Sequence, residues 1–594
     1  MSRETKVVRH RSGLQVDHSS RQRNEEILQR RQDQSLNVFE PPVADDENHG
    51  FQYHRHEDAT NMELFFDLFF VANLSNLTSN NPVNDVRDLT QYIGWFSIIW
   101  TTWFQVALFD VRFGVDSIVS RVLKFIQFCV MTSLAAESLG FSPRLFKRQE
   151  SDIMSSFFAI DLTLLISRAS LAIDYLITLW FLWKKKQKNV IMPLAICILT
   201  FSISVIVYAS LLTTFTPSGF SAYSYRAWYV ILAYEVVAMV AIPFFWDVLS
   251  FQKTHIVKRM GSLTLIVLGE GILNVLKQIS YILQSRGWDG IVFGEALTCV
   301  LTIFLIWALH FKKGADEPLE GVRQELFALL HYPFHLALAL ALEGERFWLL
   351  AEDVFHQAKK ILNYINAYII LDGTPDVQAA SFNATARALL DKMFQGNYQN
   401  TIINVDINTI TSAISANNKS IIDNALDSLT STIYILLLEA NNINNGDLAS
   451  IDINGSDLDG AAVELGDVTT VAYSSLFGVA FVYSLVTAGI VLISFGVFRL
   501  LILRHVDVFD WICVGVRIVT GVAICLLSLM ILQPSGTLIY GYAGSGMMLP
   551  TSLFALLLIA ITDTLLDRYG MRWAKERIVE KPEYLPTEPK HLEE

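Results

Sequence analysis

The sequence predicts an all-α fold, a polytopic transmembrane helical bundle of about twelve spans with a helical insertion on the lumenal side. Three observations carry this. Of 594 residues, 52% are hydrophobic and only 17% charged, with a mean hydropathy of +0.38, whereas soluble domains carry about 25% charge. Apolar runs of bilayer length recur from residue 62 onward. Lys and Arg alternate between successive loops, as the positive-inside rule requires. The same figures exclude a disordered chain. The net charge of −13 argues against a nucleic-acid partner, which would need a basic face. The five cysteines lie in apolar stretches without CxxC spacing, so neither a disulfide framework nor a thiolate metal site is expected.

Residues 1–60 are polar and read as a disordered tail, with a short helix around Asn24–Gln34. They begin MSRETKVVRHRSG without an apolar h-region, so no cleaved signal peptide is expected and the first span is expected to act as the targeting signal. Spans are expected near 62–79, 91–109, 117–140, 155–182, 190–213, 227–249, 261–284, 291–311 and 325–350, then 473–500, 510–532 and 548–566. With the N-terminus inside, the inside loops collect Lys184, Lys185, Lys186, Lys188, Lys312, Lys313 and Arg504. Arg144, Lys147 and Arg148 are the one outside exception. An even span count places both termini in the cytoplasm, with 567–594 as the C-terminal tail.

Residues 351–472 form the insertion. They hold 15 acids and 5 bases, and so account for ten of the thirteen net negative charges. N-x-S/T sequons at Asn383, Asn418 and Asn454 fall there, which suits a glycosylated lumenal segment. Apolar spacing predicts helices over 376–395 and 421–440.

Ionisable residues inside spans are the functional candidates, because each costs roughly 2.5–3.5 kcal/mol at the bilayer centre. Glu63 and Asp67 are four apart and share a helix face. Two carboxylates so placed need a proton, a cation or a basic partner. Glu270 stands between Gly269 and Gly271 in the seventh span, where glycines permit close helix approach. Arg168 follows Asp161 by seven residues and is the natural partner for a carboxylate. His331 and His335 are i, i+4 around Pro333, with His310 closing the span before. They suit a proton relay better than zinc, since no H-E-x-x-H or thiolate accompanies them. His255 and Arg259, also i, i+4, are expected at the cytoplasmic start of the seventh span, in gating, lipid contact or plain positive-inside anchoring.

Several of these residues fall in motifs. Glu63–Val71 reads ELFFDLFFV, Trp100-Thr-Thr-Trp103 precedes Asp110-Val-Arg112, His255–Leu273 reads HIVKRMGSLTLIVLGEGIL, and His331–Gly344 reads HYPFHLALALALEG. These resemble the bacterial low-temperature-requirement A family, which has eukaryotic members, many of them fungal. The resemblance covers about residues 60–350, and more weakly 475–566. It departs at Lys258, where the family usually has an acid, at Gly271, where it usually has a small hydroxyl residue, and in the insertion. It implies a multi-pass membrane protein tied by name to growth at low temperature.

The functional expectation is a secondary transporter or permeation protein for a small solute, cation or proton, with Glu63, Asp67, Arg168 and Glu270 meeting at one midplane site. The alternative is a non-transporting receptor or stress-adaptation factor that binds its partner through 351–472. An intramembrane enzyme has only His331 and His335 as a foothold. The expected partners are the lipid bilayer and a small-molecule or ion substrate. No cofactor and no metal are expected.

Overall fold

A computed structural model describes residues 59–80, 83–138, 150–215, 223–246, 254–312, 322–370, 375–394, 401–416, 458–532 and 545–580. It also describes short pieces at 37–41, 43–46, 50–53, 249–251, 420–422 and 425–426, and residues 141, 429 and 542. A two-stranded antiparallel hairpin, β1 (Val43–Asp46) and β2 (Gly50–Tyr53), precedes the helices. Part of the expected disordered tail is therefore structured. Just before the hairpin, the carbonyls of Asn37 and Val38 accept the backbone N–H groups of Ile118 and Val119. Those are donors that a helix start leaves without partners. The helix expected at 24–34 lies outside the described residues.

The bundle comprises α1 (Asn61–Asn80), α2 (Val86–Phe113), α3 (Ile118–Glu137), α4 (Glu150–Lys184), α5 (Lys188–Leu212), α6 (Arg226–Phe245), α7 (Ile256–Arg286), α8 (Gly290–His310) and α9 (Val322–Ile370). Then come α10 (Pro375–Phe394), α11 (Thr401–Ser415), α12 (Leu458–Ile502), α13 (Val508–Leu527) and α14 (Met548–Glu580). Side-chain caps start several of them: Asp85 accepts from the Asp88 N–H, Ser117 from Ser120, and Asp507 and Asp510 close a capping box. Gly287, at φ +78°, ends α7 in a conformation that favours glycine.

Among the described residues, eleven helices are long and apolar enough to cross a membrane. The first expected span, α1, falls short of that hydropathy because Glu63, Asp67 and four asparagines dilute it. Its packing is nonetheless that of a threaded helix. Glu63 meets His255, Asp67 meets Arg259 and Thr78 meets Glu270, each at a sequence separation of 192. A constant separation means that α1 and α7 run parallel in fixed register. From Glu63 to Thr78 the contact extends about 22 Å along the axis, too far for a helix lying crosswise. Six connections separate the two helices, an even number, so parallel directions fit helices that reverse at each connection.

Two helices exceed a bilayer. α9 has 49 residues and α12 has 45, or about 74 and 68 Å against a 30 Å hydrocarbon core. They carry the insertion beyond the bundle. α10 matches the helix expected at 376–395 within a residue. It packs on α11, with Ala379, Phe382 and Ala386 buried on one helix and Ile407, Ile410 and Ile414 on the other. α11 was not foreseen, and only pieces of the helix expected at 421–440 fall among the described residues.

Candidate functional site

The site is an ionic seam between α1 and α7, backed by α2. His255 Nε2 lies 2.9 Å from Glu63 Oε2, and Arg259 Nη1 donates to Asp67 Oδ2 at 2.8 Å. Each helix offers its pair at i, i+4, one above the other on a single face. Parallel packing in register brings the two faces together. Arg259 Nε sits 3.9 Å from Glu63, and its guanidinium lies 5.5 Å over the Trp103 ring. All four side chains are buried. His255 and Arg259 thus face carboxylates within the bundle.

Glu63 also lines a cleft of about 730 Å³, open at the end of the bundle where α1 begins. Asp110 and Lys124 line it as a second buried ion pair, with Lys124 5.2 Å over the Phe66 ring. At its mouth Arg121 forks onto Asp116 at 2.7 and 2.8 Å. That hydrogen-bonded fork holds the Asp116 carboxyl below its usual range.

Farther along the seam the buried side chains turn apolar, with Phe70 and Leu74 on α1 and Leu263 and Val267 on α7. Polarity resumes at Glu270, whose Oε1 accepts from Thr78 at 3.3 Å, with Asn274 donating to Thr78 at 3.3 Å. Ser75 and Asn274 also stand close to the Glu270 carboxyl, whose buried Oε2 makes no hydrogen bond of normal geometry, and the same is true of Nε and Nη2 of Arg259. Of the two glycines flanking Glu270, only Gly271 serves a close approach. A Cβ there would come within 2.5 Å of Leu342 on α9, whereas Gly269 faces open space.

The helix α2 ties the polar groups together and is the most buried of the eleven spans. Trp103 Nε1 donates to Asp67 Oδ1 at 2.8 Å, and Trp100 Nε1 donates to His335 Nδ1 at 3.2 Å. Thr102 Oγ1 accepts from Arg168 at 3.0 Å. The W-T-T-W motif is thus a hub with three directions. Since His335 Nδ1 accepts from an indole, the proton of its neutral ring sits on Nε2, which faces the Thr264 hydroxyl at 2.9 Å. His331 is 2.7 Å from the Phe327 carbonyl through Nδ1, which must therefore donate, and its Nε2 has no partner. The α9 helix continues unbroken through Pro333.

Arg168 does not join the seam. It pairs with Glu235 of α6 through Nε at 3.0 and 3.1 Å and Nη2 at 2.9 Å. Its remaining nitrogen reaches Thr102 and Ser167. Asp161, its expected neighbour, instead accepts from Trp228 at 2.7 Å. The expected meeting of Glu63, Asp67, Arg168 and Glu270 is therefore resolved into two layers of one seam plus a separate pair. The partner comes from α6 because α2 packs on both α4 and α6, a relation that spacing within α4 cannot reveal.

Of the sequons, Asn383 sits inside α10, where its Nδ2 donates to Thr411 of α11 at 3.3 Å and its Oδ1 accepts from Arg387 at 2.8 Å. A glycan on Nδ2 would displace the first bond. Asn418 and Asn454 lie outside the described residues. No group of three His, Cys, Asp or Glu suited to a metal ion occurs among the described residues.

Sequence reasoning missed an ion network at the far side of the bundle, where Arg517 and Asp563 lie buried in α13 and α14. The signal was present, since each is an ionisable residue in an apolar run.

No curated protein and no solved structure matches the chain. Residues 58–383 match the family model described as bacterial low temperature requirement A protein. The match takes in α1 through α9, both halves of the ionic seam and the W-T-T-W hub, and runs past residue 350 into α10. A multi-pass helical membrane architecture with these motifs meeting across α1, α2, α7 and α9, over more than half of the chain, makes this protein a member of the bacterial low temperature requirement A protein family.

Proposed function

We propose that the protein moves a proton or a small cation across the membrane along the α1–α7 seam. The observation that carries this is the charge balance around the cleft. Glu63, Asp67 and Asp110 face Arg259 and Lys124, and Asp174 faces Lys124 as well, so acids outnumber the fixed bases in the buried cluster. Further positive charge balances it. That charge is either a proton on His255, already 2.9 Å from Glu63, or a cation admitted by the cleft. Glu270, with an unused buried oxygen, is the next station. The apolar layer around Phe70 and Leu74 between them is the barrier that a conformational change would have to open.

The test is flux in proteoliposomes, read with an internal pH dye and with potassium and sodium gradients. Asp67→Asn and Glu270→Gln should each cut the flux at least tenfold while leaving the protein folded. Wild-type liposomes that dissipate no gradient, or variants that conduct as wild type does, defeat the reading.

The packed α10–α11 hairpin, held away from the cleft by α9, favours a second reading, in which this hairpin docks a partner. Deleting residues 375–456 separates the two. A transporter keeps its flux, and a receptor loses its partner.

A further inference from the structure

A second cavity, of about 640 Å³, opens at the same end of the bundle between α7, α8, α9, α12, α13 and α14. That volume suits small organic ligands, whose sites span roughly 300–1,000 Å³. The opposite face of α7 forms part of its wall. His255 and Arg259 point to the ionic seam, while Val257 and Gly261, two residues on in each case and so about 200° around the helix, line this pocket. Most of its other wall residues, on α12, α13 and α14, lie beyond the family match.

One side is aromatic, with Phe327, Phe495, Phe498 and Phe509. The other is ionic. Arg499 reaches Asp510 at 2.7 Å and Asp567 at 3.0 Å, Lys312 pairs with Asp563 and Asp567, and Arg517 pairs with Asp563 and donates to the Phe495 carbonyl at 2.7 Å. Acids outnumber bases here, Asp507, Asp510, Asp563 and Asp567 against Lys312, Arg499 and Arg517, so an anion is held by unused donors and not by net charge, and the carboxylates are well used. Asp563 takes three cations, Asp567 takes two, and Asp510 takes Arg499 on one oxygen and the Asp507 N–H on the other.

The donors are not used up. Arg517 is 3% exposed and its Nε has no partner. Arg499 Nη1 comes no nearer than 3.8 Å to Asp563. His310, on the pocket wall, stacks on Phe334 at 5.1 Å and makes no hydrogen bond among the described residues. A buried guanidinium N–H without an acceptor is costly, and a ligand oxygen would remove that cost.

We propose that this pocket binds an amphipathic anion. Its carboxylate or phosphate head meets Arg517 and Arg499, and its apolar body lies against the phenylalanine wall. Guanidinium forks are the usual readers of such heads. The proposal does not depend on transport.

The test uses the full chain in phosphatidylcholine nanodiscs and measures saturable binding of radiolabelled dodecanoate. Unlabelled dodecyl phosphate should displace it. Dodecanol, dodecylamine and inorganic phosphate should not, since each lacks either the anion or the tail. Arg517→Gln should weaken binding at least tenfold. Because that change also touches Asp563, Gly570→Leu gives an independent check. A Cβ at Gly570 meets only ordinary contacts, the nearest being Phe509 at 3.5 Å, so the variant should fold and block the cavity. Phosphatidic acid placed in the nanodiscs should compete if the bilayer supplies the anion, and fail to compete if solution supplies it. Either pattern supports an anion site. Displacement by dodecanol or dodecylamine as strong as by dodecyl phosphate, or unchanged binding by folded Gly570→Leu, overturns the proposal.

Discussion

Two buried ionic groups stand side by side, joined by the same helix. The Arg168–Glu235 pair is sealed: both side chains are 0% exposed, and every guanidinium nitrogen has an acceptor. The Glu63–Asp67–His255–Arg259 seam is equally dry at its centre, but it opens through Glu63 to a cleft and leaves Arg259 Nε and Nη2 unspent. Burial of charge alone therefore does not distinguish the two groups. Leftover hydrogen-bonding capacity and a route to solvent do. A saturated pair has nothing left to offer a substrate, and any movement of its members breaks a bond inside low dielectric.

The sharpest way to break this comparison is to remove one partner of the sealed pair. Arg168→Leu strands Glu235, which should cost about 3–5 kcal/mol and appear as a large fall in the melting temperature of the purified protein. Adding Glu235→Leu should restore most of the loss, because two apolar residues leave no uncompensated charge. A single variant that melts like the wild type would remove the distinction.

The seam should respond in flux rather than in stability. Arg259→Lys keeps the charge but loses the planar fork between Asp67, Glu63 and Trp103. Flux should fall about tenfold, equivalent to about 1.4 kcal/mol in the barrier, with a melting temperature close to wild type. An equal fall in melting temperature and flux would place the seam with the structural pairs.

The smallest effect belongs to the cleft mouth. Arg121 and Asp116 are more than half exposed, so water and salt screen their attraction. Arg121→Ala should leave melting temperature and flux unchanged at physiological salt. A marked loss of flux would show that the fork acts as a gate.

The seam's ingredients were legible in the sequence, whereas its assembly was not. E-x-x-x-D and H-x-x-x-R each announce a one-faced pair, since helical geometry is local. That the two faces meet depends on α1 and α7 packing parallel, with 192 residues between partners. Arg168 shows the limit from the other side. Its need for a carboxylate was evident, but Asp161, on its own helix, was bonded to Trp228 while Glu235 came from α6. For Gly269 and Gly271 the sequence offered two equal candidates, and only the position of Leu342 chose between them.

By itself the sequence determined the helical membrane architecture, because length, apolarity and loop charge are properties that each segment carries alone. It also determined the acidity of residues 351–472 and the family motifs. Tertiary structure alone decided which buried charges are saturated. Each acceptor has few lone pairs and each guanidinium a fixed number of N–H groups, so the remainder depends on which helices stand next to each other. That remainder lies on the wall of one opening at Arg517, behind Glu63 of the other at Arg259, and deeper along the seam at Glu270.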